Sequence, residues 1–254
     1  MSRSFEELAR VATPMGEIVL RRRMEPTLQV DVFEVILGGE GLMSSLFTAG
    51  EEALARLGLA AATGDDLDVV VGGLGLGYTA RTALQDSRVK SLYVIDTLDV
   101  AIDWHRRHLV PLGAELTDDP RCELVHGDFF SLVENDAMLP GDRPPSFDAI
   151  LVDIDHSPRH VLSPSHAGLY EPMGLRRLAG HLVPGGVFAL WSNDPPDHEF
   201  CDTLRTVFAT AEAHEVGFPN FLIDGESHST IYVATKQVEP RSGRSAILPP
   251  SLVW

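Results

Sequence analysis

From Asp68 onward the chain alternates short apolar runs with segments of helical period. Asp68–Gly72 (DVVVG), Ser91–Asp96 (SLYVID), Cys122–His126 (CELVH), Phe147–Asp153 (FDAILVD) and Val187–Trp191 are compact and mostly apolar. That is the pattern of strands buried on both faces of a parallel sheet. Tyr78–Leu84, Val100–Leu109, Leu169–Leu182 and Asp197–Ala209 carry helical periodicity. Strand and helix in alternation predict an α/β fold with a doubly wound, mostly parallel sheet. Two further strands are predicted near Ala213–Phe218 and Thr230–Thr235, with no helix between them, so the sheet should close on an antiparallel hairpin. The first fifty residues differ. Gly16–Arg23 and Leu28–Leu37 read as strands and Gly38–Gly41 as a turn, a small N-terminal β-meander, and Ala49–Leu59 reads as the first helix. The organisation expected is a β-strand region over 1–48, a Rossmann-like domain over 49–236 and a surface tail over 237–254.

Composition narrows the class. The 254 residues suffice for one α/β domain, and 44% hydrophobic residues are ordinary for a globular chain. No apolar run reaches the ~18 residues of a membrane-spanning helix. Met1–Met15 mixes Glu6, Glu7 and Arg10 with apolar residues and lacks the layout of a secretory signal. The two cysteines, Cys122 and Cys201, have no ligand-like spacing, so neither a disulfide framework nor a zinc site is expected. A cytoplasmic location is the simplest expectation. The balance of 20 basic against 37 acidic residues, a net charge of −17, disfavours nucleic acid and is compatible with a small cationic partner such as an amine.

Three polar features fall at the carboxyl ends of successive strands, where open α/β sheets bind ligands. Gly72-Gly73-Leu74-Gly75-Leu76-Gly77 follows a strand and opens a helix, so its glycines allow a tight turn and a close ligand approach. Asp96 ends the next strand, 19 residues beyond Gly77, at the place of a ribose-binding acid. His126-Gly127-Asp128-Phe129-Phe130 lies just past the third strand, where a carboxylate and an aromatic can hold an adenine. Asp128 alone could equally be a helix N-cap. With the closing hairpin, the combination predicts a seven-stranded sheet of methyltransferase type that binds S-adenosylmethionine or a close relative. The candidate donor-binding residues are Gly72, Gly73, Gly75, Gly77, Asp96, Gly127, Asp128 and Phe129.

The fourth strand runs into Asp153-Ile154-Asp155-His156-Ser157-Pro158. An amine nucleophile is protonated at neutral pH and must lose a proton before it attacks. Asp153 is the first candidate to accept that proton, with Asp155 and His156 as close alternatives. The same acids with His160 and His166 suggest a metal only weakly, and none is expected.

These residues resemble the spermidine synthases (polyamine aminopropyltransferases), which share the class I methyltransferase fold. Ile36–Ser45 is similar to that family's "DGxxQxS" stretch, Ala49–Leu54 to its "YHExL" helix with Glu52 at the Glu position, and Gly72–Gly77 to its glycine loop. Asp96 stands at its ribose-binding acid, Gly127-Asp128 at its "GD" motif, Asp153–Pro158 at its "DSxDP", and Phe218–Lys236 at its closing hairpin. The resemblance implies a sulfonium donor, an amine acceptor and a homo-oligomer. It also shows departures. Gly75 or Leu76 replaces the loop Asp that contacts the aminopropyl amino group, Leu42 or Met43 replaces a Gln, and the second Asp of "DSxDP" is displaced. Methyl transfer from S-adenosylmethionine to a small amine explains those losses most simply. Aminopropyl transfer from the decarboxylated donor and a non-catalytic nucleoside-binding scaffold are the alternatives.

Overall fold

The computed structural model describes residues 5–135, 138–139 and 143–238. In chain order the elements are β1 (Phe5–Thr13), β2 (Gly16–Glu25), β3 (Val30–Leu37), β4 (Glu40–Ser44), α1 (Ala49–Ala61), β5 (Leu67–Gly72), α2 (Tyr78–Leu84), β6 (Val89–Asp96), α3 (Asp99–Arg106), α4 (Gly113–Thr117), β7 (Cys122–His126), α5 (Phe129–Val133), β8 (Phe147–Val152), α6 (Pro172–Gly180), β9 (Leu182–Ser192), α7 (His198–Arg205), β10 (Thr210–Asn220) and β11 (Gly225–Thr235). A 3₁₀ segment, Pro164–Tyr170, precedes α6. The end of the expected tail, residues 239–254 with Trp254, lies outside the described residues.

The larger sheet has the order β10-β11-β9-β8-β5-β6-β7. β7, β6, β5, β8 and β9 run parallel, and β11 pairs antiparallel with both β9 and β10. This is the predicted doubly wound sheet with its closing hairpin. Alternate residues of each central strand feed opposite layers. Val70, Ile150, Val152 and Phe188 face one layer with Leu175, Leu178, Phe200 and Leu204 of α6 and α7. Val69, Val71, Leu151 and Ala189 face the other with Leu54 and Leu59 of α1 and Ala80 and Ala83 of α2. Each buried Val, Leu, Ile or Phe side chain among them stabilises by roughly 1.5–3 kcal/mol.

The N-terminal meander is a separate antiparallel sheet, β1-β2-β3-β4. It docks through Ile18, Leu20 and Val35 against Leu76, Val100, Trp104 and Val110. Here the structure exceeds the expectation of two strands. β1 and β4 are largely exposed or half-buried, so neither carries an apolar run. β3 starts at Val30 and not at Leu28, because a turn holds the Gln29 N–H on the Glu25 carbonyl at 2.8 Å.

The helix predicted over Leu169–Leu182 is broken. Glu171 is extended (φ −88°, ψ 160°), as the residue before Pro172 must be to avoid the proline ring. The chain therefore passes from the 3₁₀ segment into a new helix, α6. β9 begins at Leu182 and incorporates Pro184-Gly185-Gly186, which the sequence places in a turn.

Candidate active site

The glycine loop crosses the carboxyl end of β5. Gly73 has φ +98°, and a Cβ there would lie 2.0 Å from the Asp153 carbonyl oxygen. Only glycine lets the loop pass so close to the end of β8. At Gly75 (φ +50°) a Cβ would meet the Met43 sulfur at 2.8 Å, so β4 lies directly over the loop. Gly72 and Gly127 serve packing. A Cβ on Gly72 would strike the Phe129 ring at 2.8 Å, and one on Gly127 would sit 3.0 Å from Leu132.

Asp96 organises this loop. One carboxylate oxygen accepts from the Leu74 N–H at 2.9 Å and the other from the Leu98 N–H at 2.8 Å. Burial raises its pKa, and the backbone N–H groups of Leu98, Leu74 and Gly75 oppose the rise. A carboxylate offers about four lone-pair sites, so the backbone N–H groups leave acceptor capacity for a ligand hydroxyl. His105, fully buried beneath the loop, holds the Gly75 carbonyl from Nε2 at 3.0 Å, and burial lowers its pKa.

Above Asp96 lies a cavity of about 220 Å³. Its floor is Gly73, Gly75, Asp96, Ala101 and Trp104, and Ile18, Val35, Leu42 and Met43 of the small sheet form one wall. Asp128, Phe129, Phe130 and His166 form another. Asp128 is the N-cap of α5, accepting from the Phe130 N–H at 3.1 Å and the Ser131 hydroxyl at 2.6 Å. It therefore realises the capping reading while still presenting its carboxylate at the cavity. Phe129 is only 2% exposed and wedged under Gly72. The aromatic surface is extended by Phe130, stacked on His166 at 3.7 Å and 12°. Phe130 belongs to the stretch the sequence singles out, but Phe129 is the aromatic assigned there to the donor.

A second, smaller cavity of about 80 Å³ adjoins the first, and Leu42, Met43, Gly75, Asp153 and Ile154 line both. Its further walls include Glu51, Leu74, Gly77, Tyr78, His156 and Trp191. Asp153 accepts from the Thr79 hydroxyl at 2.7 Å. Burial pushes the Asp153 carboxyl up to about 6, with the Thr79 hydrogen bond pulling the other way. Glu51, at the start of α1, is pushed up to about 8 by burial and then by the charge of Asp153. Helix α1 reaches this place because it packs tightly on the sheet. A Cβ on Gly58 would lie 2.5 Å from Leu151, and one on Gly50 2.4 Å from Trp191 Nε1.

Of the three reactive candidates, the structure brings Asp153 and His156 to the cavity and not Asp155. Asp155 is 1% exposed and accepts from the Leu162 N–H at 2.7 Å, His166 Nδ1 at 2.9 Å and the Tyr170 hydroxyl at 2.7 Å. It is the anchor of the loop over residues 155–170 and lines neither cavity. His156 is exposed, and its carbonyl accepts from the Asn193 N–H at 2.7 Å. His160 turns away to Asp194 at 2.9 Å. Among the described residues no group of three or more His, Cys, Asp and Glu is placed to share a metal ion.

Glu51 was missed. The resemblance pointed to Glu52, which instead pairs with Arg56 at 3.1 Å and Arg81 at 3.4 Å. The signal was present in the helical phase: Leu54, Ala55 and Gly58, three, four and seven residues beyond Glu51, are all buried, so Glu51 heads the inward face.

The sequence profile of the spermine/spermidine synthase domain matches residues 48–216. The chain belongs to this family. A polyamine aminopropyltransferase of Pseudomonas aeruginosa is 29% identical over 165 residues, covering 61% of this chain and 43% of that protein. One of Pyrobaculum islandicum is 24% identical over 185 residues, covering 68% and 61%. One of Prochlorococcus marinus is 31% identical over 158 residues, covering 61% and 51%. The chain thus spans about half the length of these curated relatives. The crystal structure of spermidine synthase from Thermotoga maritima superposes with a TM-score of 0.66 at 21% identity, covering 92% of this chain and 74% of that one. A spermidine synthase in complex with the transition-state analogue AdoDATO superposes equally well, at 20% identity. The fold is therefore the methyltransferase-like fold of the spermidine synthases, with its small antiparallel N-terminal sheet. Among the described residues no helix is long and apolar enough to cross a membrane.

Proposed function

We propose that the protein transfers an aminopropyl group from decarboxylated S-adenosylmethionine to a small amine. The observation that carries this reading is the position of Asp153, a buried carboxyl in the wall shared by the two adjoining cavities. In this reading the nucleoside occupies the larger cavity. Asp96 accepts from the ribose hydroxyls, and Asp128, Phe130 and His166 surround the base. The reacting carbon then lies at the junction, beside Asp153.

The donor supplies a sulfonium whose adjacent carbon is open to displacement. The amine nitrogen bonds to that carbon, the carbon–sulfur bond breaks, and sulfur keeps the electron pair as a neutral thioether. The proton that nitrogen loses goes to the Asp153 carboxylate, whose raised pKa makes it a fitting acceptor near neutral pH. Holding donor and acceptor in adjoining cavities supplies much of the rest by proximity.

The altered motifs put methyl transfer first in the sequence reading. Two findings favour aminopropyl transfer instead. The relatives that share the chain's domain carry that activity in their names. In addition, among the described residues neither cavity has an Arg or Lys in its lining to pair the carboxylate of intact S-adenosylmethionine, whereas carboxyl groups line both.

The test is to incubate the protein with a diamine and either donor and to separate the products by chromatography. Formation of 5′-methylthioadenosine from the decarboxylated donor supports the reading. S-adenosylhomocysteine from the intact donor would replace it with methyl transfer. Nucleoside binding without either product would leave the scaffold.

A further inference from the structure

Glu51 has no cationic partner among the described residues, although it is mostly buried. Arg81, on the neighbouring helix α2, is engaged by Glu52 at 3.4 Å and lies 5.9 Å over the Tyr78 ring. The glycine loop opposite contributes only glycine and leucine, so it brings no side-chain charge to the smaller cavity. The groups facing Glu51 are Asp153 from the end of β8, Tyr78 at the start of α2, His156 after β8, and its neighbour Glu52. None supplies a permanent positive charge.

We infer that Glu51 is the specificity-determining residue that receives the ammonium group of the decarboxylated donor in the smaller cavity. The inference rests on the donor reading above and deepens it. A carboxyl held in a cavity without a counter-charge is unfavourable when ionised, and an incoming ammonium supplies what is missing. The nucleoside cavity and the Glu51 cavity meet along Met43, Gly75 and Asp153, so one molecule can occupy both. The adenosyl group fills the first and the three-carbon arm enters the second. The amine acceptor approaches Asp153 from the exposed His156 side. Intact S-adenosylmethionine would bring its carboxylate against Glu51 and Asp153, so the same residue selects the decarboxylated form.

One consequence separates this role from general packing. Burial and the Asp153 charge keep Glu51 protonated in the free protein near neutral pH, and a bound ammonium favours the ionised form. Binding of the decarboxylated donor therefore releases a proton. Binding of 5′-methylthioadenosine, which has the nucleoside and thioether but no ammonium, does not.

The experiment is calorimetric titration of the wild type, Glu51→Gln and Glu51→Ala with both molecules, in two buffers of different ionisation enthalpy. For both variants we expect decarboxylated-donor affinity to fall roughly 10- to 100-fold, as for a lost charge-assisted hydrogen bond, with 5′-methylthioadenosine affinity within about twofold. Proton release by the wild type should shrink in both variants. The thioether ligand also reports that each variant is folded. If the wild type binds both molecules and the variants keep its affinity ratio, Glu51 does not hold the arm and the inference fails alone. If donor affinity is unchanged while KM for the amine rises, Glu51 serves the acceptor and the inference fails. A wild type that binds neither molecule overturns the donor reading and this inference with it.

Discussion

The Thr79 hydroxyl lies 2.7 Å from Asp153 Oδ2 and ties the first turn of α2 to the end of β8. The hydrogen bond favours the ionised carboxylate and opposes the effect of burial. Removing it by Thr79→Val should raise the Asp153 pKa further. Because a general base must be ionised, the acidic limb of the kcat/KM–pH profile should then move to higher pH. Asp153→Asn should lower kcat by roughly 10²–10⁴-fold and leave 5′-methylthioadenosine affinity near that of the wild type. A fully active Asp153→Asn enzyme would show that the proton goes elsewhere.

Asp96 has a structural task in the loop and, in the proposed function, a binding one. Asp96→Ala leaves the Leu74 and Leu98 N–H groups without their acceptor and should lower stability by about 1–3 kcal/mol in urea denaturation. It should also weaken 5′-methylthioadenosine by tenfold or more in calorimetry. Unchanged nucleoside affinity would place the ribose away from Asp96.

Asp155 provides a contrast between anchor and catalyst. Asp155→Ala abandons three donors, those of Leu162, His166 and Tyr170, and should cost about 3 kcal/mol or more. Tyr170→Phe, which removes one of them, should cost about 1 kcal/mol. In Tyr170→Phe, kcat should be unchanged under conditions where the protein is folded. A selective loss of kcat there, with no fall in Tm, would implicate the loop anchor in the chemistry.

The two carboxyls at the smaller cavity give stability an unusual pH dependence. Both have folded pKa values above the ordinary carboxylate range, about 6 for Asp153 and about 8 for Glu51. Between about pH 4, where unfolded carboxyls ionise, and about pH 8, the folded state binds more protons than the unfolded one. These groups thus favour the fold at the acidic end of that window, and the advantage is lost as pH rises through it. Glu51→Gln should flatten the upper part of the curve, measured as Tm against pH in the absence of ligand. A wild-type Tm that climbs steadily from pH 5 to 8, with the variant in parallel, would contradict the pair's assignment.

How much of this was legible in the sequence follows from what each element needs to fold. The central strands are buried on both faces, so Val69–Val71 and Ala149–Val152 had to be apolar throughout and were readable. β1 and β4 face solvent along much of their length and left no such trace. α5 is five residues long and is defined by its Asp128 cap, too short for periodicity to register. The glycine loop and Asp96 were visible because backbone geometry restricts which residues can stand there. Asp153 and Asp155 were not separable, since two positions apart at a strand's end only the subsequent path of the chain decides which one faces the cavity. That Glu51 and not Glu52 lines the smaller cavity was open to an analysis of helix phase, whereas family spacing drew attention to Glu52.

The Met43 sulfur resting over Gly75 has a consequence for the whole assembly. One wall of the larger cavity belongs to the small sheet, and the rest of its lining comes from loops and helices at the carboxyl ends of the large sheet's strands, so a ligand filling it would fasten the two together. Undocking the small sheet then requires the ligand to leave first. At a hundred times its Kd such a ligand adds about 2.7 kcal/mol to that attachment. The short connection after β4 should accordingly resist proteolytic nicking when the cavity is full and yield when it is empty. In the proposed reading the nucleoside would act as a keystone, and its departure would loosen a sheet, not merely a loop.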